Sequence, residues 1–250
     1  MWSSCTQDNC RYSKCQVPVS EAVLTTPQAT FGQDRTANRV MAVLVLAVVG
    51  LVGCAHEGRL GTGVSPLTVA DTKAVLRDLW SGHNFWIRNV VLDNTTNNRK
   101  ALDFAEKAVM ANAKQIAKVF TPFYGEAATE QLYNLLIKQY GAIKAYSEAT
   151  VAGNKSWQDA ALADYASNTD EIAAFFNGVN RYLPKDTVRG LFAAHGADHV
   201  ELINELHEED YGHEAETWQV MQQHVYAIAD TLTTALEKQF PAKFPSGHVQ

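Results

Sequence analysis

Four histidines stand at positions from which they can act together. Read as helices, six segments of the chain each carry an apolar stripe with a polar residue near its midpoint. In the first, the stripe Leu76, Trp80, Ile87 and Val90 contains His83. In the fifth, Val188, Leu191, Leu202 and Leu206 enclose His195 and His199. In the sixth, Met221, Ile228 and Thr231 accompany His224. The remaining three stripes carry amides: Asn112, Gln139 and Asn168. Midpoints of antiparallel helices of similar length lie at similar height, so these residues are expected to form one polar layer across a core. An unpartnered polar group costs about 1–3 kcal/mol to bury, so such residues meet each other, a ligand or water.

The chemistry open to such a layer is coordination. His195 and His199 are four residues apart, which puts both imidazoles on one helical face. His83, His195 and His224 line a candidate metal or small-ligand site, with His199 or a nearby carboxylate as a fourth ligand. Neutral imidazoles favour Zn, Cu or Fe over the oxygen-seeking Mg and Ca. The competing reading is a hydrogen-bonded layer that fixes helix register and binds nothing. Arg88 is read as a surface residue or an anion-binding group. The run from His199 to Glu216 (HVELINELHEEDYGHEAE) is read as a solvated charged corner or a weak, exposed metal site. Support for catalysis is missing: there is no paired Glu-x-x-His set, no His-Glu-x-x-His, no Gly-x-Ser-x-Gly, no phosphate-binding glycine loop and no Cys-x-x-Cys-His.

The elements that must hold this layer are helices. Thr68 and Asp71 read as a capping box opening a first helix that runs to about Val91. A second covers about Arg99 to Phe120 and stops at Pro122. Gly125 precedes a third that ends near Gly153-Asn154. A fourth spans about Ser156 to Val179. Pro184, read as a first-turn proline, opens a fifth to about His207, and a sixth runs from about His213 to Phe240. No segment reads as a strand. The expected fold is all-α, an up-and-down antiparallel bundle of about six helices over residues 68–245.

Upstream, residues 40–52 (VMAVLVLAVVGLV) form an uncharged apolar run preceded by Arg35 and Arg39. The run is too short for a membrane span and has the length of a signal-peptide core. It leads into Leu51-Val52-Gly53-Cys54, which resembles the lipobox of bacterial lipoproteins. Residues 1–53 are thus expected to be an N-terminal extension and signal peptide, with Met41 or a slightly earlier codon as the alternative start. Cys54 is the expected lipidated residue, and 54–67 a Gly-rich polar tether. The expected location is the cell membrane or outer membrane, lipid-anchored and facing the periplasm or exterior. Cys5, Cys10 and Cys15 precede the cleavage point and no cysteine follows Cys54, so chemistry in the domain must use nitrogen and oxygen. With 21 Lys and Arg against 27 Asp and Glu, the net charge of −6 argues against a nucleic-acid surface.

Several stretches together resemble a family of uncharacterised, all-helical bacterial proteins. They are Trp80-x-x-His83-x-x-Trp86-x-Arg88, Asn112-x-x-x-Ile116 leading to Pro122-Phe123-Tyr124-Gly125, Asn168-x-Asp170-x-Ile172-Ala173-x-Phe175, and His224 followed by Gln239-Phe240-Pro241-x-x-Phe244. The resemblance implies a helical fold and little about function. It also implies a histidine at the place of Gln139, where this chain departs and would lack a ligand that His199 can replace. Three expectations follow. The chain is a tethered protein binding a metal ion or small polar ligand, a structural or protein-interaction lipoprotein, or an extracytoplasmic metal-dependent oxidoreductase.

Overall fold

A computed structural model describes residues 68–244. The expected signal segment, Cys54 and the tether lie outside the described residues. Six α-helices follow one another: α1 (Val69–Thr95), α2 (Arg99–Val119), α3 (Thr121–Val151), α4 (Lys155–Val179), α5 (Lys185–His207) and α6 (Tyr211–Gln239), then a short 3-10 turn Pro241–Lys243. The all-α expectation holds, with no strand among the described residues. Thr68 caps α1 as anticipated: its hydroxyl accepts from Asp71 N at 3.1 Å while the Asp71 carboxylate accepts from Thr68 N at 3.0 Å. Gly125, at φ 82°, interrupts α3 after its first turn, where a side chain would be strained. Three boundaries differ from expectation: α3 starts at Thr121, ahead of Gly125 rather than after it. Helix α1 continues a turn beyond Val91, and Pro184 is the N-cap of α5 rather than a first-turn residue.

The described residues are built from one hairpin used three times, a period the helical stripes do not reveal. Asn97, Gly153 and Glu209 lie 56 positions apart, and all three adopt positive φ, at 55°, 63° and 59°. Each follows the C-cap of a long helix. The next amide in each case closes a Schellman bond to the carbonyl five residues back: Asn98 to Asp93 at 2.8 Å, Asn154 to Ala149 at 2.9 Å, Asp210 to Glu205 at 2.8 Å. Those same residues are the N-caps of α2, α4 and α6, accepting from Ala101, Trp157 and His213. The sequence carries the period too, in Leu79/Leu135/Leu191, Ile116/Ile172/Ile228 and Ala117/Ala173/Ala229.

Packing follows the same threefold plan. Helices α1, α3 and α5 pack against one another at the centre. Each of the others fills a gap between two of them: α2 contacts α1 and α3, α4 contacts α3 and α5, and α6 contacts α5 and α1. The bundle is therefore closed upon itself. Its apolar core falls into two clusters. One includes Leu76, Trp80, Ile116, Leu132, Ile172, Phe176 and Phe192, the other Ile87, Val90, Val109, Ile143, Tyr165, Leu202 and Met221. Along each helix, the residues between the two clusters are the polar ones picked out by their stripes.

Candidate functional site

His83, His195 and His199 are buried to within 2% of full enclosure, on α1 and α5. The two α5 rings follow from their four-residue spacing, and their Nε2 atoms are 3.2 Å apart. Trp80 sets its edge against His83 and His195, at centroid distances of 5.4 and 5.9 Å, and the His83 and His195 rings are 6.0 Å apart. Desolvation holds all three imidazoles in the neutral form. His83 is lowered to about 4 and His199 to about 3, and His195 falls well below the ordinary value, with the neighbouring imidazoles adding to the effect of burial.

The amides form the rest of the layer by reaching across helix pairs. Asn112 donates to Leu79 O at 2.9 Å, from α2 to α1. Asn168 makes the threefold-equivalent bond from α4 to α3, donating to Leu135 O at 3.2 Å. Gln139 Nε2 donates to Tyr165 Oη at 3.1 Å, and that hydroxyl donates to Phe192 O at 2.9 Å. Asn84, absent from the sequence expectation, donates to Met221 O at 3.3 Å from full burial. Each carboxamide is oriented by a partner that can only accept, or whose own hydrogen is already committed. The amide oxygens of Asn84, Asn112, Gln139 and Asn168 are left buried without a donor, as are Nδ1 of His83, His195 and His199. The Asn112 carboxamide stands beside His83 without completing a hydrogen bond to it.

His224 does not join the other three imidazoles inside the core. The buried face of α6 runs through Met221, Val225, Ile228 and Leu232, which leaves His224 on its flank with a side chain 39% exposed. There Nδ1 pairs with Asp198 Oδ2 at 2.6 Å, and burial pushes the Asp198 carboxyl upward, with His224 holding back part of the rise. The expected nearby carboxylate carried no residue number; Asp198 is the one that meets His224. It lies between His195 and His199 in sequence, but a helix turns about 100° per residue, which directs it toward α6.

The other charged features are structural. Arg88 forms a two-pronged pair with the buried Glu214, at 2.6 and 3.1 Å, tying α1 to α6. In the acidic corner, Asp210 caps α6 by accepting from His213 N and pairs with its ring, and Glu205 accepts from Thr217. Trp86 packs with Phe85 and Phe104 away from the buried imidazoles, so Trp80 alone of the two tryptophans touches His83.

The 56-residue period divides the layer into two sets of equivalent positions: His83, Gln139 and His195 on the central helices, and Asn112, Asn168 and His224 on the outer ones. His199 has no polar counterpart, since Ile87 and Ile143 occupy its place in the other hairpins. Among the described residues, no group of three or more His, Cys, Asp or Glu side chains is placed to hold a metal ion. The His195–His199 pair is the closest approach of two neutral nitrogen ligands.

No family model, curated protein or solved structure matches the chain.

Proposed function

We infer that this chain is a membrane-anchored extracytoplasmic lipoprotein whose bundle core binds a transition-metal ion at His195 and His199, with His83 as third ligand. The anchoring rests on the sequence alone, through the lipobox and Cys54. The metal reading rests on the pair of Nε2 atoms at 3.2 Å. Two imidazole nitrogens bound to one tetrahedral ion at 2.0–2.1 Å stand about 3.3 Å apart, so this pair already has the bite of a shared ligand set. In two of three hairpins an isoleucine serves the fold at the position of His199. Binding requires the His83 ring to turn toward the pair. Elemental analysis of the purified full-length protein, with thermal shifts on adding Zn, Cu or Fe, tests the reading. Bound metal in the wild type and none in His199→Ile supports it, whereas a wild type without stoichiometric metal or thermal shift overturns it. Loss of palmitate incorporation in Cys54→Ser tests the anchor.

A second reading, a structural or protein-interaction lipoprotein, is favoured by the lack of a three-ligand cluster among the described residues. The 3.2 Å contact is then an N–H···N hydrogen bond between opposite tautomers. Under this reading His199→Ile stabilises the protein and changes no binding.

A further inference from the structure

We propose that the seam between α4 and α5 is a binding site for a small, uncharged, largely apolar molecule carrying one hydrogen-bonding group, separate from the imidazole pair. A cavity of about 570 Å³ opens there, within the range of small-molecule sites. Its buried floor is made by Tyr165, Thr169 and Gly196, and its exposed mouth carries Asp170 and Glu201 beside the half-buried Arg189.

The threefold repeat explains why the space exists in this seam. Ala166, Ala193 and Gly196 line it, and their equivalents in the α2–α3 seam are Met110, Ile137 and Tyr140. In the α6–α1 seam, Phe85 stands at the place of Ala197 and Trp218 at that of Leu162. At the places of Ala166 and Gly196 both other seams carry larger side chains, Met110 and Gln222 at the first and Tyr140 and Asn84 at the second, whereas Gly141 and Ala113 stand at the places of Ala197 and Thr169 in the α2–α3 seam. Gly196 is required as such: a Cβ on it would lie 2.1 Å from Tyr165 Cε1. That close approach lets the Tyr165 ring lie over α5 and form the floor.

The ligand's character follows from the lining. Thr169, 3% exposed, lines the cavity, and its buried hydroxyl stands near the Tyr165 phenol without a hydrogen-bond partner. Turned about its Cα–Cβ bond into the cavity, that hydroxyl is the polar anchor that a ligand's single hydrogen-bonding group would engage. Arg189 is engaged by Asp170 and Asp186. Glu201, with no ion-pair partner among the described residues, leaves the mouth net negative. Carboxylates and phosphates are therefore disfavoured.

The probe is 1-naphthol, which is uncharged near neutral pH, ring-sized and equipped with one hydroxyl. Its charged counterpart is 1-naphthoate. Calorimetric titration of the full-length protein in one detergent should give saturable one-to-one binding of 1-naphthol and at least tenfold weaker binding of 1-naphthoate. Ala166→Met with Ala193→Ile installs the α2–α3 residues and should abolish binding. Thr169→Val keeps the shape, removes the hydroxyl and should weaken binding about tenfold. His199→Ile should leave it unchanged, which separates this site from the metal reading. Absence of saturable binding by the wild type overturns the proposal, as does equal affinity in the filled variant or equal affinity for the two probes. If the filled variant fails to fold, unaltered binding by Thr169→Val overturns it alone.

Discussion

The first two hairpins and the third solve the same packing problem with different residues at mid-height. In the first two, an asparagine on the outer helix donates to a backbone carbonyl of the inner helix, Asn112 to Leu79 and Asn168 to Leu135, and isoleucine occupies the next inner layer. In the third, the asparagine has become His224, its partner is the Asp198 carboxylate instead of a main-chain oxygen, and the isoleucine has become His199. The fold demonstrates within one chain what this architecture needs. An amide bridge and an apolar layer suffice. The ionisable groups of the third hairpin exceed that need, and two of the three unpaired Nδ1 atoms, those of His195 and His199, come with it, the third belonging to His83 of the first hairpin. Each such atom costs on the order of 1–3 kcal/mol unless something meets it.

The largest effect that separates the hairpins is acid sensitivity. His83 is lowered to about 4 and His199 to about 3, while an unfolded histidine titrates near 6.5. At pH values above 6.5 both states are neutral and stability is full. As pH falls through this window the unfolded chain takes up protons that the folded core refuses, and stability drops until the folded values are reached. His83 alone accounts for about 3 kcal/mol by pH 4, and His199 for at least as much. Denaturant melts at pH 7, 5.5 and 4 should show a steep loss. His195→Gln with His199→Ile converts the inner helix of the third hairpin to the residues of the second and should leave only the His83 share. An unchanged pH dependence would show that these imidazoles are accessible to protons in the folded state.

A smaller effect isolates the His224–Asp198 pair. His224→Asn alone leaves Asp198 buried and unpaired and should cost about 2 kcal/mol, reduced from the fully buried case because His224 is partly exposed. Asp198→Ala alone removes the partner of His224 and should cost about 1 kcal/mol. The double change recreates Asn168 with Ala142, the arrangement of the second hairpin, and should return close to wild-type stability. Chemical denaturation of the four proteins gives the coupling directly. Additive losses would mean that α6 cannot adopt the amide bridge.

Helix positions were legible because their signals are local: Thr68 with Asp71, Pro122, Gly125 and Asn154 each act within a turn of the boundary they set. The depth of His83, His195 and His199 was legible from the helical period. His224 was misplaced because α6 admits two neighbouring stripes, and only packing chooses Val225 and Leu232 over His224 and Thr231. Asp198 and Asn84 escaped because they point at α6 rather than along the stripe of their own helix. The threefold repeat escaped for another reason. Its period is far longer than a helical window, and the equivalent residues share a backbone role more often than an identity. Asn97, Gly153 and Glu209 have nothing in common as residue types, but the corner demands the same left-handed turn of each.

That corner yields the smallest and cleanest comparison. At φ 63° Gly153 is unstrained, and at φ 55° Asn97 belongs to the residue types that tolerate this region. Glu209, at φ 59°, carries a Cβ and a long side chain into the same conformation, which costs an L-residue roughly 1–2 kcal/mol. It is exposed, so replacing it removes no core contact. Glu209→Gly should therefore stabilise the protein by about 1 kcal/mol, less the extra freedom that glycine gives the unfolded chain. Gly153→Glu, the reverse exchange in the second hairpin, should destabilise by a similar amount. Thermal melts of both variants measure the two signs. Opposite signs would establish that the three corners impose one backbone geometry, whereas a loss from both would mean that Glu209 contributes contacts at the third corner that outweigh its strain.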